Sequence, residues 1–141
     1  MKMSWIVSAA AAAMMVSACA TEATAPATPS YAATLAPGAG IVSSGKGSGT
    51  FTYDPGTHVL TYNVTYEGLS GPAAAAHIHG PAGPGENAPP VIPFANAASP
   101  ITGTATLTDA QAADLAAGKW YVNVHTAANR GGEIRGQITS K

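Results

Sequence analysis

The stretch TFTYDPGTHVLTYNVTY, residues 50–66, places the turn sequence DPGT at 54–57 between two runs of β-branched and aromatic residues. Pro and Gly are typical of tight turns, so this stretch predicts a β-hairpin. In its second arm, Leu, Tyr and Val at the even positions from Leu60 to Tyr66 alternate with mostly polar residues. Because successive side chains of a strand point to opposite faces, one face is expected to be buried and the other solvated.

Outside the hairpin, short apolar or β-branched runs alternate with Gly and Pro, as in antiparallel β-sandwiches and barrels. Residues 80–90 contain four prolines, so no strand is expected to run through that segment. The sequence therefore predicts an all-β domain. Its further strands are predicted at residues 73–79, 91–94, 101–107, 120–126 and 133–139.

One short helix is predicted inside this β pattern, at about residues 108–117. Thr108 and Gln111 have the spacing of a capping box, in which side chains and backbone at the helix start exchange hydrogen bonds. Gly118 follows at the position where such a helix would end. The predicted fold class is therefore an antiparallel β-sandwich or barrel with one short helix.

The N-terminus has the pattern of a lipoprotein signal peptide. Lys2 precedes an apolar run at residues 5–16, and small residues then lead to Cys19. The run is too short to span a bilayer as a helix. We therefore interpret residues 1–18 as a signal peptide and Cys19 as the lipid-modified first residue of the mature protein. The alternative is an ordinary secreted protein with a small-residue cleavage site.

The segment after the cysteine is expected to hold the folded domain away from the membrane. Residues 19–30 are rich in Ala, Thr and Pro and predict a flexible tether to a β domain at residues 31–141. Ala20 and Thr21 follow the cysteine without an Asp retention signal, which favours the outer membrane. The predicted location is the cell envelope, with the membrane as a partner through the lipid anchor and the domain facing the periplasm or the cell surface.

Composition narrows the classes of function. Removal of the signal peptide leaves 123 residues, enough for one domain. All four Met residues and the single Cys lie at or before position 19, so an acylated mature chain has neither a free thiol nor a disulfide. Its five basic and seven acidic residues give a net charge of −2 and form no basic run, which argues against nucleic acid as a partner. No nucleophile elbow or close carboxylate pair is present, so a non-catalytic protein is favoured.

Two spaced motifs carry a family resemblance. They are AHIHGPAGPGEN at residues 76–87, and YVNVHT at 121–126 followed by GGEIRGQ at 131–137. Together with the helix start between them, these motifs resemble the CHRD domain over roughly residues 31–138. The resemblance implies an immunoglobulin-like or Greek-key β architecture. Arg130 departs from the family pattern, which usually has Pro there, and this departure implies a looser turn before Gly131 and Gly132.

Three histidines are the candidate metal ligands. His77 and His79 share one face of a predicted strand, and His125 lies on the more polar face of another. If these strands approach each other, three neutral imidazoles with an open position suit Cu(II) or Zn(II). The pattern is also faintly similar to that of copper/zinc superoxide dismutases, although a fourth, bridging His is lacking. The alternative is structural: His77 and His79 hydrogen-bond the backbone of the loop at residues 80–90, and His125 hydrogen-bonds Asn123, Thr126 or Glu133.

Seven further residues of the two motifs are predicted to have structural roles. Glu133 and Arg135 lie two positions apart, so they are expected to share a strand face and form an ion pair. The glycines of the same segment indicate close backbone approach. The predicted structural residues are Gly80, Asn123, Gly131, Gly132, Glu133, Arg135 and Gly136.

Two functions are compatible with these features. The first is a non-catalytic, envelope-anchored binding or structural module whose partner is an extracellular or envelope protein, and it needs no cofactor. The second is a three-His copper or zinc protein with a role in metal handling or in superoxide dismutase-like redox chemistry.

Overall fold

The computed structural model describes residues 17–21 and 27–141. The predicted signal peptide, residues 1–18, lies almost wholly outside the described residues, and so does part of the predicted tether, residues 19–30. The elements are β1 Ser30–Pro37, β2 Lys46–Asp54, β3 Val59–Glu67, β4 Ala73–His79, β5 Pro90–Pro93, β6 Ile101–Thr106, α1 Asp109–Ala116, β7 Tyr121–Thr126, β8 Ile134–Gln137 and β9 Thr139–Ser140.

The hairpin predicted from residues 50–66 is present as β2 and β3, which pair antiparallel along their whole length. The predicted alternation is confirmed as well. In β3, the side chains of Leu60, Tyr62 and Val64 are buried, whereas Thr61, Asn63 and Thr65 are exposed. This hairpin therefore contributes one wall of the core.

The strands form a continuous antiparallel arrangement in the order β5-β4-β7-β8-β1-β2-β3-β6, with β9 also pairing with β1. The first six residues of β1 pair with β2, and its last two, Ala36 and Pro37, pair with β8. The strand thus joins a β1-β2-β3-β6 sheet to a β5-β4-β7-β8 sheet, and the core lies between the two. The architecture confirms the predicted all-β sandwich or barrel with one short helix.

The strands differ from the sequence prediction mainly at three places. No strand was predicted at β1, because its sequence SYAATLAP is rich in Ala and has no run of β-branched or aromatic residues. The predicted strand at 133–139 is interrupted at Ile138, whose N–H donates to the carbonyl of Trp120, while β9 pairs with β1. β5 begins at Pro90, since Pro is tolerated as the first residue of a strand.

The helix lies where it was predicted. Thr108 is the N-cap, and both hydrogen bonds of the capping box with Gln111 are present. Leu115 anchors α1 in the core. Among the described residues, no helix combines the length and apolarity needed to cross a membrane.

Candidate functional site

The three candidate histidines project from neighbouring strands on the outer face of the second sheet. β4 and β7 pair antiparallel with His77 opposite Asn123, His79 opposite Tyr121, and Ala75 opposite His125. Ile78, Val122 and Val124 alternate with these residues and are fully buried in the core. Their burial sends the histidines to the opposite face, as the alternation predicted.

The structure brings all three imidazoles together. The Nδ1 atom of His77 lies 3.2 Å from Nε2 of His125. The centroid of the His79 ring lies 5.5 Å from that of the His77 ring and 5.6 Å from that of the His125 ring. One nitrogen from each residue lies within 4.8 Å of the other two. His58, at the β2–β3 turn, is not part of this group and lies 3.4 Å from Asp109 instead.

Backbone carbonyls fix the tautomers of two of these rings. Nδ1 of His79 lies 2.8 Å from the carbonyl oxygen of Ala88, and Nδ1 of His125 lies 2.9 Å from that of Arg130. A carbonyl oxygen only accepts, so each Nδ1 carries the proton and each Nε2 presents a lone pair in the neutral ring. Nδ1 of His77 is then the donor to Nε2 of His125. The structural alternative is thus realised for His79, whereas His125 bonds to Arg130 rather than to Asn123, Thr126 or Glu133. Within the described residues, Nε2 of His79 remains free, and Nε2 of His125 accepts from His77.

One of those nitrogens is buried without a partner. His79 is 8% exposed, and its Nε2 has no hydrogen-bond partner among the described residues. An orphaned buried polar atom costs about 1 to 3 kcal/mol, so native structures rarely leave one. Nε1 of Trp120 is the other such atom in the described part of the chain.

Burial favours the neutral form of two of the three imidazoles, those of His77 and His79. Burial lowers the pKa of His77, and the neighbouring His125 and His79 lower it further. Burial also lowers the pKa of His79; the bond to Ala88 opposes this effect, and His125 and Arg135 reinforce it. Neutral imidazole is the form that binds metal ions.

A stack of side chains connects His79 to the loop that follows it. The Tyr121 ring lies 5.1 Å from the His79 ring at an interplanar angle of 17°, and the Arg135 guanidinium lies 3.8 Å from the Tyr121 centroid. Arg135 also donates to the side chain of Asn87 and to the carbonyl of Glu86. These contacts position residues 80–90, including the Ala88 carbonyl that orients His79. In the sequence prediction Tyr121 was only part of the second motif, at residues 121–126.

The predicted ion pair between Glu133 and Arg135 is wrong. Glu133 is fully buried just before β8, and its carboxylate accepts five hydrogen bonds from neutral donors. Its partners are the hydroxyls of Ser43, Ser70 and Thr126, the backbone N–H of Ser70 and the amide of Asn129. Burial raises the pKa of Glu133, but the bonds from Ser43, Ser70 and Thr126 outweigh it and hold the pKa at about 2.

Glu133 therefore joins three loops, and one of these loops supplies the carbonyl that orients the candidate metal ligand His125. Ser43 lies between β1 and β2, Ser70 lies between β3 and β4, and Asn129 lies in the turn that follows His125. The carbonyl of Arg130 in this last turn holds the His125 ring. Sequence reasoning missed Ser43 and Ser70, because nothing local marks them as partners of a residue 90 or 63 positions away.

The predicted glycines differ in what they do. A Cβ at Gly80 would overlap the Trp120 ring, and one at Gly136 would overlap the backbone at Thr34. At Gly132 a Cβ would overlap Asn123, and its φ of +120° also favours Gly. Close approach is wrong for Gly131, since no atom lies within 4 Å of where its Cβ would be.

Comparison with known proteins gives one match. A family model described as the CHRD domain matches residues 25–138, which include the three histidines and Glu133. No curated protein and no solved structure matches the chain.

Proposed function

The chain belongs to the CHRD domain family, and on that premise we propose that its domain is a non-catalytic, envelope-anchored module that binds one Cu(II) or Zn(II) ion through His77, His79 and His125. The family match is compatible with a binding module but does not indicate a ligand. The histidine cluster is the feature that favours a metal.

The Nε2 atom of His79 is the observation that carries the proposal. It is buried, holds a lone pair and has no partner in the described part of the chain. A metal ion would satisfy it, and the bond from Nδ1 to the Ala88 carbonyl is the support that metal-bound histidines typically have. His125 has the same support from Arg130.

The distances permit a shared ion after a small adjustment. Two nitrogens that each lie 2.0 to 2.1 Å from one tetrahedral ion are about 3.3 to 3.4 Å apart. The candidate nitrogens lie within 4.8 Å of one another, so the rings need to approach by about 1.5 Å at most. His77 can supply the third lone pair by exchanging tautomer, which breaks its bond to His125.

The donor set favours Cu(II) and Zn(II) over softer ions. If residues 1–18 are removed and Cys19 is acylated, the mature chain contains neither a free thiol nor a Met thioether. Three imidazoles are borderline ligands that suit Cu(II) and Zn(II), whereas Cu(I) prefers sulfur.

A metal titration tests this proposal. The mature chain carrying Cys19→Ala is expected to bind one equivalent of Cu(II) or Zn(II), with nitrogen hyperfine structure in the Cu(II) electron paramagnetic resonance spectrum. His58→Ala is the matched control and should keep full stoichiometry, because His58 lies outside the cluster. Absence of stoichiometric uptake of both metals would refute the proposal.

Anchoring through Cys19 is the second part of the proposal. Cys19 is exposed, and the sequence before it has the pattern of a lipoprotein signal. Cys19→Ala is expected to move the protein from the membrane fraction to the soluble fraction, because the acyl chains would have no attachment point. Thr21→Ser is the control and should stay with membranes. An undiminished membrane pool for Cys19→Ala would contradict the anchor.

A further inference from the structure

Beside the histidine cluster, Arg135 separates two open recesses of about 280 and 290 Å³. Gly38, Ala39, Gly85 and Arg135 line both recesses, so the two form one groove across β1, β8 and β7. We call it the Arg135 groove. Each recess is at the lower end of the size range of small-molecule pockets, which favours a small ligand.

The guanidinium in this groove is fixed in place but lacks a carboxylate partner. It stacks on Tyr121 and donates to Asn87 and to the Glu86 carbonyl at 3.0 and 2.7 Å. These two bonds leave three of its five N–H groups uncommitted. Within residues 17–21 and 27–141, no acidic side chain forms a salt bridge with Arg135. Its planar fork matches a carboxylate, which it can bind through two parallel hydrogen bonds.

Three of the four amide side chains that line the groove present acceptors, whereas the oxygen of Asn87 already accepts from Arg135. The side-chain nitrogens of Asn123, Asn129 and Gln137 donate to protein oxygens. Their amide oxygens accept no hydrogen bond from the described residues; Asn129 and Gln137 are half-buried, and Asn123 is 5% exposed. A ligand that fits the groove thus brings hydroxyl donors for these oxygens and an anionic acceptor for Arg135.

Among residues 17–21 and 27–141, no carboxylate side chain lines either recess. An anion therefore meets the charge of Arg135 without a competing negative charge in the lining. A simple inorganic anion would bind the Arg135 guanidinium but would offer no donors to the amide oxygens. A neutral sugar would offer donors to the amide oxygens but no anionic acceptor to Arg135.

We propose that the Arg135 groove binds an acidic sugar, a carbohydrate that carries a carboxylate, with the carboxylate on Arg135 and the hydroxyls on Asn123, Asn129 and Gln137. This site does not depend on the metal, because none of the three histidines lines either recess. Its test is therefore independent of the metal titration.

The test is binding of glucuronate to the mature chain in the presence of a metal chelator. Calorimetry measures the affinity, and amide chemical shifts locate the binding site. Glucuronate is expected to bind at least tenfold more tightly than glucose, acetate or inorganic phosphate, with shifts at Asn123 and Arg135. Arg135→Gln should lose at least tenfold in affinity, and the matched control Arg130→Gln should bind as the wild type does.

Loss of Arg135 also removes its hydrogen bonds to residues 80–90, so a second variant tests the groove with Arg135 in place. Ala39→Trp fills the groove from an exposed position and removes no hydrogen bond of Arg135, and it should abolish glucuronate binding. Unchanged affinity in both Arg135→Gln and Ala39→Trp, or no glucuronate binding by the wild type, would overturn the proposal. If glucose bound as tightly as glucuronate, Arg135 would have no role in recognition. If acetate or phosphate bound as tightly as glucuronate, the groove would be a simple anion site. Either result would overturn the assignment to an acidic sugar.

Discussion

Glu133→Ala is expected to lower the free energy of unfolding by at least about 3 kcal/mol, because it leaves several buried donors without an acceptor at about 1 to 3 kcal/mol each. The carboxylate accepts bonds from Ser43, Ser70, Thr126 and Asn129 and is fully buried. Urea denaturation of the two proteins measures the difference. Glu67→Ala is the control: Glu67 pairs with Lys46 on the surface, so its loss should cost less than about 1 kcal/mol.

The same carboxylate predicts how stability depends on pH. The folded-state pKa of Glu133 is about 2, below the ordinary value of 4.5, so the unfolded chain binds the proton more readily. Its contribution is therefore fully present above about pH 4.5 and is lost as the pH falls through about 2. Denaturation curves at pH 7, 4.5, 3 and 2 should show this loss in the wild type and a smaller one in Glu133→Gln. Parallel pH dependence in the two proteins would show that another group is responsible.

His79→Ala is expected to weaken Cu(II) or Zn(II) binding by at least about 100-fold, because loss of a partner that only supports a ligand already costs 10- to 100-fold. Competition against a chelator of known affinity measures the change. His58→Ala, which alters a histidine outside the cluster, should bind as the wild type does. Equal affinity of His79→Ala and the wild type would exclude the proposed site.

Metal binding should also appear as added stability. An ion that binds only the folded state raises the free energy of unfolding by about 2.7 kcal/mol at a free concentration of 100 times its Kd. His79→Ala should lose this increment. In the presence of a chelator it should lose only about 1 kcal/mol, the typical value of a hydrogen bond such as that from Nδ1 to Ala88. Comparing the two conditions separates the metal-binding role of His79 from its packing role.

Local patterns were sufficient to predict much of the fold. The β2–β3 hairpin and α1 depend on turn residues, alternation and a capping box that lie within a few positions of one another. β1 escaped prediction because Ala33 is buried by its register with β2 rather than by its own hydrophobicity. The information that buries Ala33 therefore lies in the sequence of β2 rather than in that of β1.

The sequence predicts which face of its strand each histidine occupies, but it does not predict that the two strands are neighbours. Alternation places His77 and His79 on one side of β4, but the pairing of β4 with β7 that brings in His125 spans 48 positions. The error at Glu133 has the same origin. A spacing of two suggested Arg135 as its partner, whereas the actual donors come from loops distant in sequence. Interactions of this length depend on the tertiary fold.

The packing of Trp120 against Gly80 has an optical consequence. The chain has two tryptophans, and removal of residues 1–18 would eliminate Trp5, so Trp120 would be the one tryptophan of the mature protein. Its indole is fully buried, so its emission should lie at short wavelength and shift to the red on unfolding. Gly80 follows His79 directly, so a paramagnetic Cu(II) ion on the histidines should quench this emission while Zn(II) leaves it bright. A single native tryptophan can thus report both folding and the identity of the bound ion.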